Sequence, residues 1–183
     1  MKIIYFILVA SLINCLIISC KKDKTESKLP EWSAVKALKN GQIWKSNAAA
    51  NIIKRKSGSI AIPANISNDY GELREVLIFD YVPFETGKYT LLKRIKDSQN
   101  IDIYAGYTTF SSDGDVVEDR YDVLEEENNF IEIETIDRAD MKMSGTFRCT
   151  FVRDPNDHVD NPSLPDTIRF DDGGFILRII EIN

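Results

Sequence analysis

The chain has 183 residues, 23 Lys and Arg against 29 Asp and Glu, a formal net charge of −6, one His and three Cys. An acidic balance without a basic patch argues against a nucleic-acid binder and against a domain lying flat on an anionic membrane. One histidine and the one cysteine beyond the amino-terminal segment, Cys149, cannot make the usual zinc ligand sets, while the length suits one domain whose core needs no disulfide staples.

From Ile3 to Ser19 the chain is almost wholly apolar, behind Lys2 and ahead of Lys21, Lys22 and Asp23. A short charged region, an apolar core and a small residue before a cut are the layout of a secretory signal. Within it, Ile17-Ile18-Ser19-Cys20 resembles the lipobox of bacterial lipoproteins, in which an aliphatic residue, a permissive residue and a small residue precede an acylated cysteine. Cys15 fails the same test, because Asn14 stands where the small residue belongs. An uncleaved transmembrane helix is the competing reading, but the run lies at the short edge of the ~17 to 25 residues a span requires. Its greater positive charge on the far side, at Lys21, Lys22 and Lys24, would also hold the domain in the cytoplasm. The lipobox resemblance implies that residues 1–19 are removed and that Cys20 carries a diacylglyceryl group and an amide-linked acyl chain, palmitate being the expected acid. More than one chain gives stable anchoring. The first expected partner is therefore a membrane, reached through the acyl chains on Cys20, and the expected location is the outer membrane, facing the periplasm or the surface.

Removing residues 1–19 leaves 164 residues and takes the net charge to −7, since Lys2 is the one charged residue lost. Residues 20–30 (CKKDKTESKLP) are charged and lack aromatics, as expected of an acylated cysteine and a flexible tether. Residues 31–183 are expected to form the folded domain. Trp32 to Leu38 and Gln42 to Ala49 flank Asn40-Gly41, the strongest short hairpin signal. The alanines between Ser46 and Ile53 leave a short helical turn open there. Ser59 to Ile66 alternates, and Leu73 to Val82 is apolar enough for a central strand, with Pro63 and Pro83 pointing to edges, bulges or strand ends. Gly87 to Leu92, Ile101 to Phe110, Val116 to Leu124, Asn128 to Ile136 and Met141 to Arg153 follow, with Ser112-Asp113-Gly114-Asp115 as a turn. Alternation in the last of these puts Cys149 beside Met143, Phe147 and Phe151 as a core residue. Thr167 to Phe170 and Phe175 to Ile182 read as two strands joined by a hairpin at Asp171-Asp172-Gly173-Gly174. About ten short strands at hairpin spacing predict an all-β domain, an antiparallel sandwich or barrel, and the spacing does not choose between them.

Asn40-Gly41-Gln42-Ile43-Trp44-Lys45-Ser46, Gly87-Lys88-Tyr89, Ser144-Gly145-Thr146-Phe147 and Gly173-Gly174-Phe175 together resemble the landmarks of secreted Bacteroidota lipoproteins of unknown function. The resemblance implies an exported, lipid-anchored β domain and transfers no activity and no functional residues. Physically, each glycine relieves a turn or bulge and the aromatic beside it fills the core.

Catalytic chemistry finds little support. His158 lies in Asp154-Pro155-Asn156-Asp157-His158-Val159-Asp160-Asn161-Pro162, where Asx and Pro make turns. The oxygen spacing is not that of a Ca²⁺-binding EF-hand. No serine sits in a nucleophile elbow and there is no glycine-rich phosphate loop. Paired carboxylates need a spatial separation that sequence does not supply, and Glu125-Glu126-Glu127 reads as a solvated turn. Trp32, Trp44, Tyr81, Tyr104, Tyr107 and Tyr121 include candidates for a binding platform, although β cores recruit aromatics routinely. The expectation is a non-enzymatic protein with no catalytic residue, no cofactor and no metal, which binds an unknown protein or glycan. A carbohydrate-binding or carbohydrate-active module and an inhibitor or immunity-like lipoprotein are the alternatives.

Overall fold

A computed structural model describes residues 34–46, 51–55, 58–94, 102–158 and 164–181. The expected signal and tether, Cys20 and Trp32 lie outside them. The described residues form β1 (Ala34–Lys39), β2 (Gln42–Lys45), β3 (Asn51–Lys54), β4 (Ser59–Ser67), β5 (Leu73–Pro83), β6 (Gly87–Thr90), β7 (Tyr104–Phe110), β8 (Val117–Val123), β9 (Phe130–Asp137), β10 (Lys142–His158) and β11 (Thr167–Glu181), with no helix. The fold is all-β, as the alternation predicts.

Turn chemistry accounts for the first hairpin. Asn40 (φ 50°) and Gly41 (φ 78°) both take left-handed conformations, as a two-residue turn matched to strand twist requires, and Lys39 pairs Gln42 across it. Beyond it the pairings run β3–β4–β5–β7–β8–β10–β11, and β11 pairs β3 in parallel, so these seven strands close a ring. Closure gives the single domain a barrel-like form, and among the described strands β2 and β6 are left as the edges. Pro63 fits because β3 pairs β4 only at Ile60 and Ala61, leaving one side of the strand clear where proline cannot donate.

The two longest strands hold the ring together by each serving two neighbours along one edge. β10 carries β9 beside Lys142–Arg148 and β8 beside Phe151–His158. β11 carries β1 beside Phe170–Ile176 and β3 beside Arg178–Glu181. Where β10 changes partner, the buried Asn129 fills the gap: its Oδ1 accepts from Thr150 N at 2.7 Å, and its Nδ2 donates to Leu124 O at 2.7 Å and Glu127 O at 3.1 Å. One amide side chain thus supplies the acceptor for Thr150 N and a second donor to two carbonyls that also accept from Glu127 N and Asn129 N.

The inward faces are packed with rings. Trp44 meets Phe170 edge-on at 5.3 Å, Phe170 lies 5.4 Å from Tyr107 and 5.9 Å from Phe151, and Phe79 lies 4.8 Å from Phe147. Cys149 is fully buried between strands, and Met143, Phe147 and Phe151 share its side, as the alternation requires. The β1–β2 hairpin is pinned to this core through Glu75: Trp44 Nε1 donates to it at 2.7 Å and Lys39 Nζ at 2.8 Å, and Lys39 Nζ also donates to the Tyr107 hydroxyl at 3.1 Å.

Two segments depart from the sequence expectation. Asp171-Asp172-Gly173-Gly174 is no hairpin: β11 runs through it unbroken, with a bulge at Asp172 (φ 50°) marked by register shifts against both β1 and β10. The glycine is there for a neighbour. Gly173 stands opposite Phe147, and Gly145 stands opposite Phe175. A Cβ on Gly173 would lie 2.6 Å from three carbons of the Phe147 ring, and one on Gly145 would lie 2.1 Å from Glu132 O and 2.7 Å from the Phe175 ring. Each aromatic therefore lies over the glycine of the facing strand, a reciprocal lock that shields the bare backbone. The second departure concerns residues 154–158, read as a turn-rich loop, which continue β10 and bring His158 into register with Asp119. Among the described residues there are eleven strands, and residues 51–54 of the alanine-rich region are strand; residues 47–50 lie outside the described set.

Candidate functional site

The outward face of β5, β7 and β8 carries a surface groove with an aromatic wall. Strand alternation sends Ala105, Tyr107 and Thr109 into the core and leaves Tyr104, Gly106 and Thr108 facing out. Gly106 is in register with Ile78 of β5 on one side and Asp122 of β8 on the other. Its missing side chain opens a groove of about 290 Å³ lined by Ile78, Arg94, Tyr104, Gly106, Arg120 and Asp122.

Tyr104 forms one wall, and the chain holds it rigidly. β5 bulges at Asp80-Tyr81, where Ile60 and Ile62 of β4 face Val82 and Phe79. Tyr81 takes φ 57° there, a left-handed conformation that strains a bulky residue by about 1–3 kcal/mol. The bulge tucks Asp80 in to 5% exposure and gathers donors around it. Arg55 grips the carboxylate with both terminal nitrogens, Nη2 at 3.0 Å. The Tyr104 hydroxyl donates at 3.0 Å and Tyr81 N at 2.9 Å. The Arg55 guanidinium also stacks 4.4 Å from the centre of the Tyr81 ring, and the Tyr81 and Tyr104 rings stand 6.0 Å apart. Burial, reinforced by the Asp80 charge, holds the Tyr104 hydroxyl above the ordinary tyrosine pKa. The hydrogen bond with Asp80 pushes the Arg55 guanidinium further up, against the opposing effect of burial. The result is a neutral, fixed ring presenting its side to the groove.

Charges of both signs ring the remainder. Lys93 Nζ lies 3.2 Å from Asp122 Oδ2, and the Arg94 guanidinium 5.6 Å from the Tyr104 centroid. Asp154 closes the far end, its Oδ1 accepting from Asn156 N at 2.9 Å. Chemically the groove offers an aromatic wall, a bare floor and a mixed set of donors and acceptors.

The aromatics divide accordingly. Trp44, Tyr107 and Tyr121 are core residues, while Tyr81 and Tyr104 are half-buried side by side. Among the described residues no group of three or more His, Cys, Asp and Glu side chains is placed to hold a metal ion. A second buried charge, Asp119, is fully enclosed and has the Arg153 Nη1 at 3.6 Å, with Arg153 also donating to Leu164 O. That pair ties β8 and β10 to the segment before β11. Sequence reading missed Gly106, Arg55 and Asp80; an isolated glycine inside an alternating strand was the available signal for the first.

These features define a closed β-barrel with a polar, aromatic-walled groove on its outer surface. The chain belongs to the family described as domain of unknown function DUF6252, whose family model matches residues 31–177. No curated protein and no solved structure matches it.

Proposed function

We propose that this chain is a lipid-anchored cell-envelope protein, held by acyl chains on Cys20, whose barrel binds an extracytoplasmic partner through its outer face rather than by catalysis. The observation that carries the binding half of this reading is the Gly106 groove with its rigidly held Tyr104 wall, set on a barrel whose inward faces are occupied by packed rings. Functional side chains fixed by a supporting layer are what a preformed site requires. The anchoring half rests on the lipobox-like Ile17-Ile18-Ser19-Cys20 and the charged tether after it.

The Cys20→Ala chain, expressed beside the native one in a bacterial envelope, tests the anchor. Native protein should fractionate with membranes and incorporate an acyl label, and the variant should do neither. Equal membrane recovery and equal labelling of the two would overturn it.

A second reading is favoured by one observation. Ile43 is 89% exposed on β2, a strand at the edge of the sheet, and an exposed apolar edge invites strand addition by a protein partner. An inhibitor or immunity-like role would then be lost on Ile43→Lys and unaffected by filling the groove.

A further inference from the structure

Resting on the binding reading above, we infer that the Gly106 groove takes a pyranose ring of a neutral glycan. Size is the first ground: about 290 Å³ is at the lower edge of small-molecule sites, which start at roughly 300 Å³, and suits one or two rings rather than a folded partner. Chemistry is the second. The Tyr104 hydroxyl is committed to Asp80 at 3.0 Å, so its ring meets a ligand as an apolar wall, with the Arg94 guanidinium 5.6 Å from its centre as a donor beside a sugar C–H face laid against it. A pyranose pairs such a face with a rim of hydroxyls, and here the rim meets Asp122 and Asp154 as acceptors, Arg94 and Arg120 as donors and Thr108 as either.

Charge is the third ground. Carboxylates stand on the same wall as the cations, and Lys93 lies 3.2 Å from Asp122. A polyanion such as a phosphorylated or sulfated ligand would meet Asp122 and Asp154 at close range, whereas hydroxyls use both signs. Finally, the floor is bare: a Cβ at Gly106 would touch only Ile78, at 3.7 Å. Side chains there are sterically admissible to the fold, and the groove depends on their absence.

The test uses the full-length chain in detergent micelles on an array of neutral and acidic glycans, followed by titration with the best neutral oligosaccharide. Three variants accompany it, each checked by thermal melting. Gly106→Leu fills the floor and should abolish binding in a folded protein. Tyr104→Ala should weaken binding by about tenfold or more, while Tyr104→Phe, which keeps the ring and loses only the Asp80 bond, should bind within about twofold of native. Absence of any glycan binding by the native chain would overturn the inference, as would binding undiminished in Gly106→Leu. A protein partner captured by the native chain and lost in Gly106→Leu would overturn the glycan assignment while leaving the binding reading intact. A preference for acidic glycans alone would contradict the charge argument.

Discussion

Replacing Gly173 by alanine places a methyl group 2.6 Å from three carbons of the Phe147 ring, and Gly145→Ala places one 2.1 Å from the Glu132 carbonyl oxygen. Neither can be relieved by turning the tip of a flexible side chain, so each substitution should cost about 3 kcal/mol or more, at the upper end of overpacking effects. Denaturant unfolding measures it. Because Phe147 and Gly173 share one space, Gly173→Ala in a Phe147→Leu background should cost at least about 1 kcal/mol less than in the native background; strict additivity would show that the ring and glycine do not interlock. Cys149 makes a simpler case. Burial pushes its thiol well above the ordinary cysteine pKa, so a thiol reagent should label it only as fast as the chain unfolds. Asn40-Gly41 and Cys149 were legible in the sequence, since each is determined by its own strand. Gly173 was misread because a glycine that turns the chain and a glycine that admits a ring from the next strand look alike until the pairing is known.

At the scale of elements, two local devices shape the barrel. Asn129→Ala removes the acceptor for Thr150 N and the donors for Leu124 O and Glu127 O, where β10 passes from β9 to β8. Thr150 N then loses its acceptor while Leu124 O and Glu127 O keep Glu127 N and Asn129 N, so stability should fall by about 1–3 kcal/mol, and Asn129→Asp, which keeps the acceptor, should recover part of the loss. Amide exchange at Thr150 should accelerate in Asn129→Ala and much less in Asn129→Asp. Asp80→Ala should destabilise by about 1–2 kcal/mol, because the Tyr104 hydroxyl and Tyr81 N lose their acceptor, while Arg55, a third exposed, is left to water. Strand periods announced most of the elements, β4, β5 and β7 to β9 among them. They did not announce that β10 and β11 run long through Pro155 and Gly173-Gly174, because turn-forming residues are also the residues of bulges and irregular strands.

For the whole molecule, closure depends on which strands pair at long range, and alternation carries no record of that; the parallel contact of β3 with β11 had no local signal. The candidate groove was half legible for the same reason. Tyr81 and Tyr104 stood among the named aromatics, but Gly106, Ile78 and Asp122 become one row only when three strands are aligned. Burial of the barrel's tyrosines also gives the molecule a pH signature. Tyr89, Tyr104, Tyr107 and Tyr121 are all raised above the ordinary value of 10.0, burial being the first cause in each. A folded pKa above the unfolded one contributes stability that is complete below pH 10 and is lost as pH rises from there through the folded values. The melting temperature should therefore fall in alkali, with these phenols ionising together with unfolding in an absorbance titration. A single ordinary step near pH 10 with the fold retained would contradict that burial.

The claim on which the biological reading turns is that Cys20 is the first residue of the mature protein and holds the barrel to a membrane. Mass spectrometry of the amino-terminal peptide from protein produced in a bacterial envelope measures it directly. Residues 1–19 should be absent and Cys20 should carry a thioether-linked diacylglyceryl group and an amide-linked acyl chain. A terminus retaining Met1, or an unmodified thiol at Cys20, would contradict it.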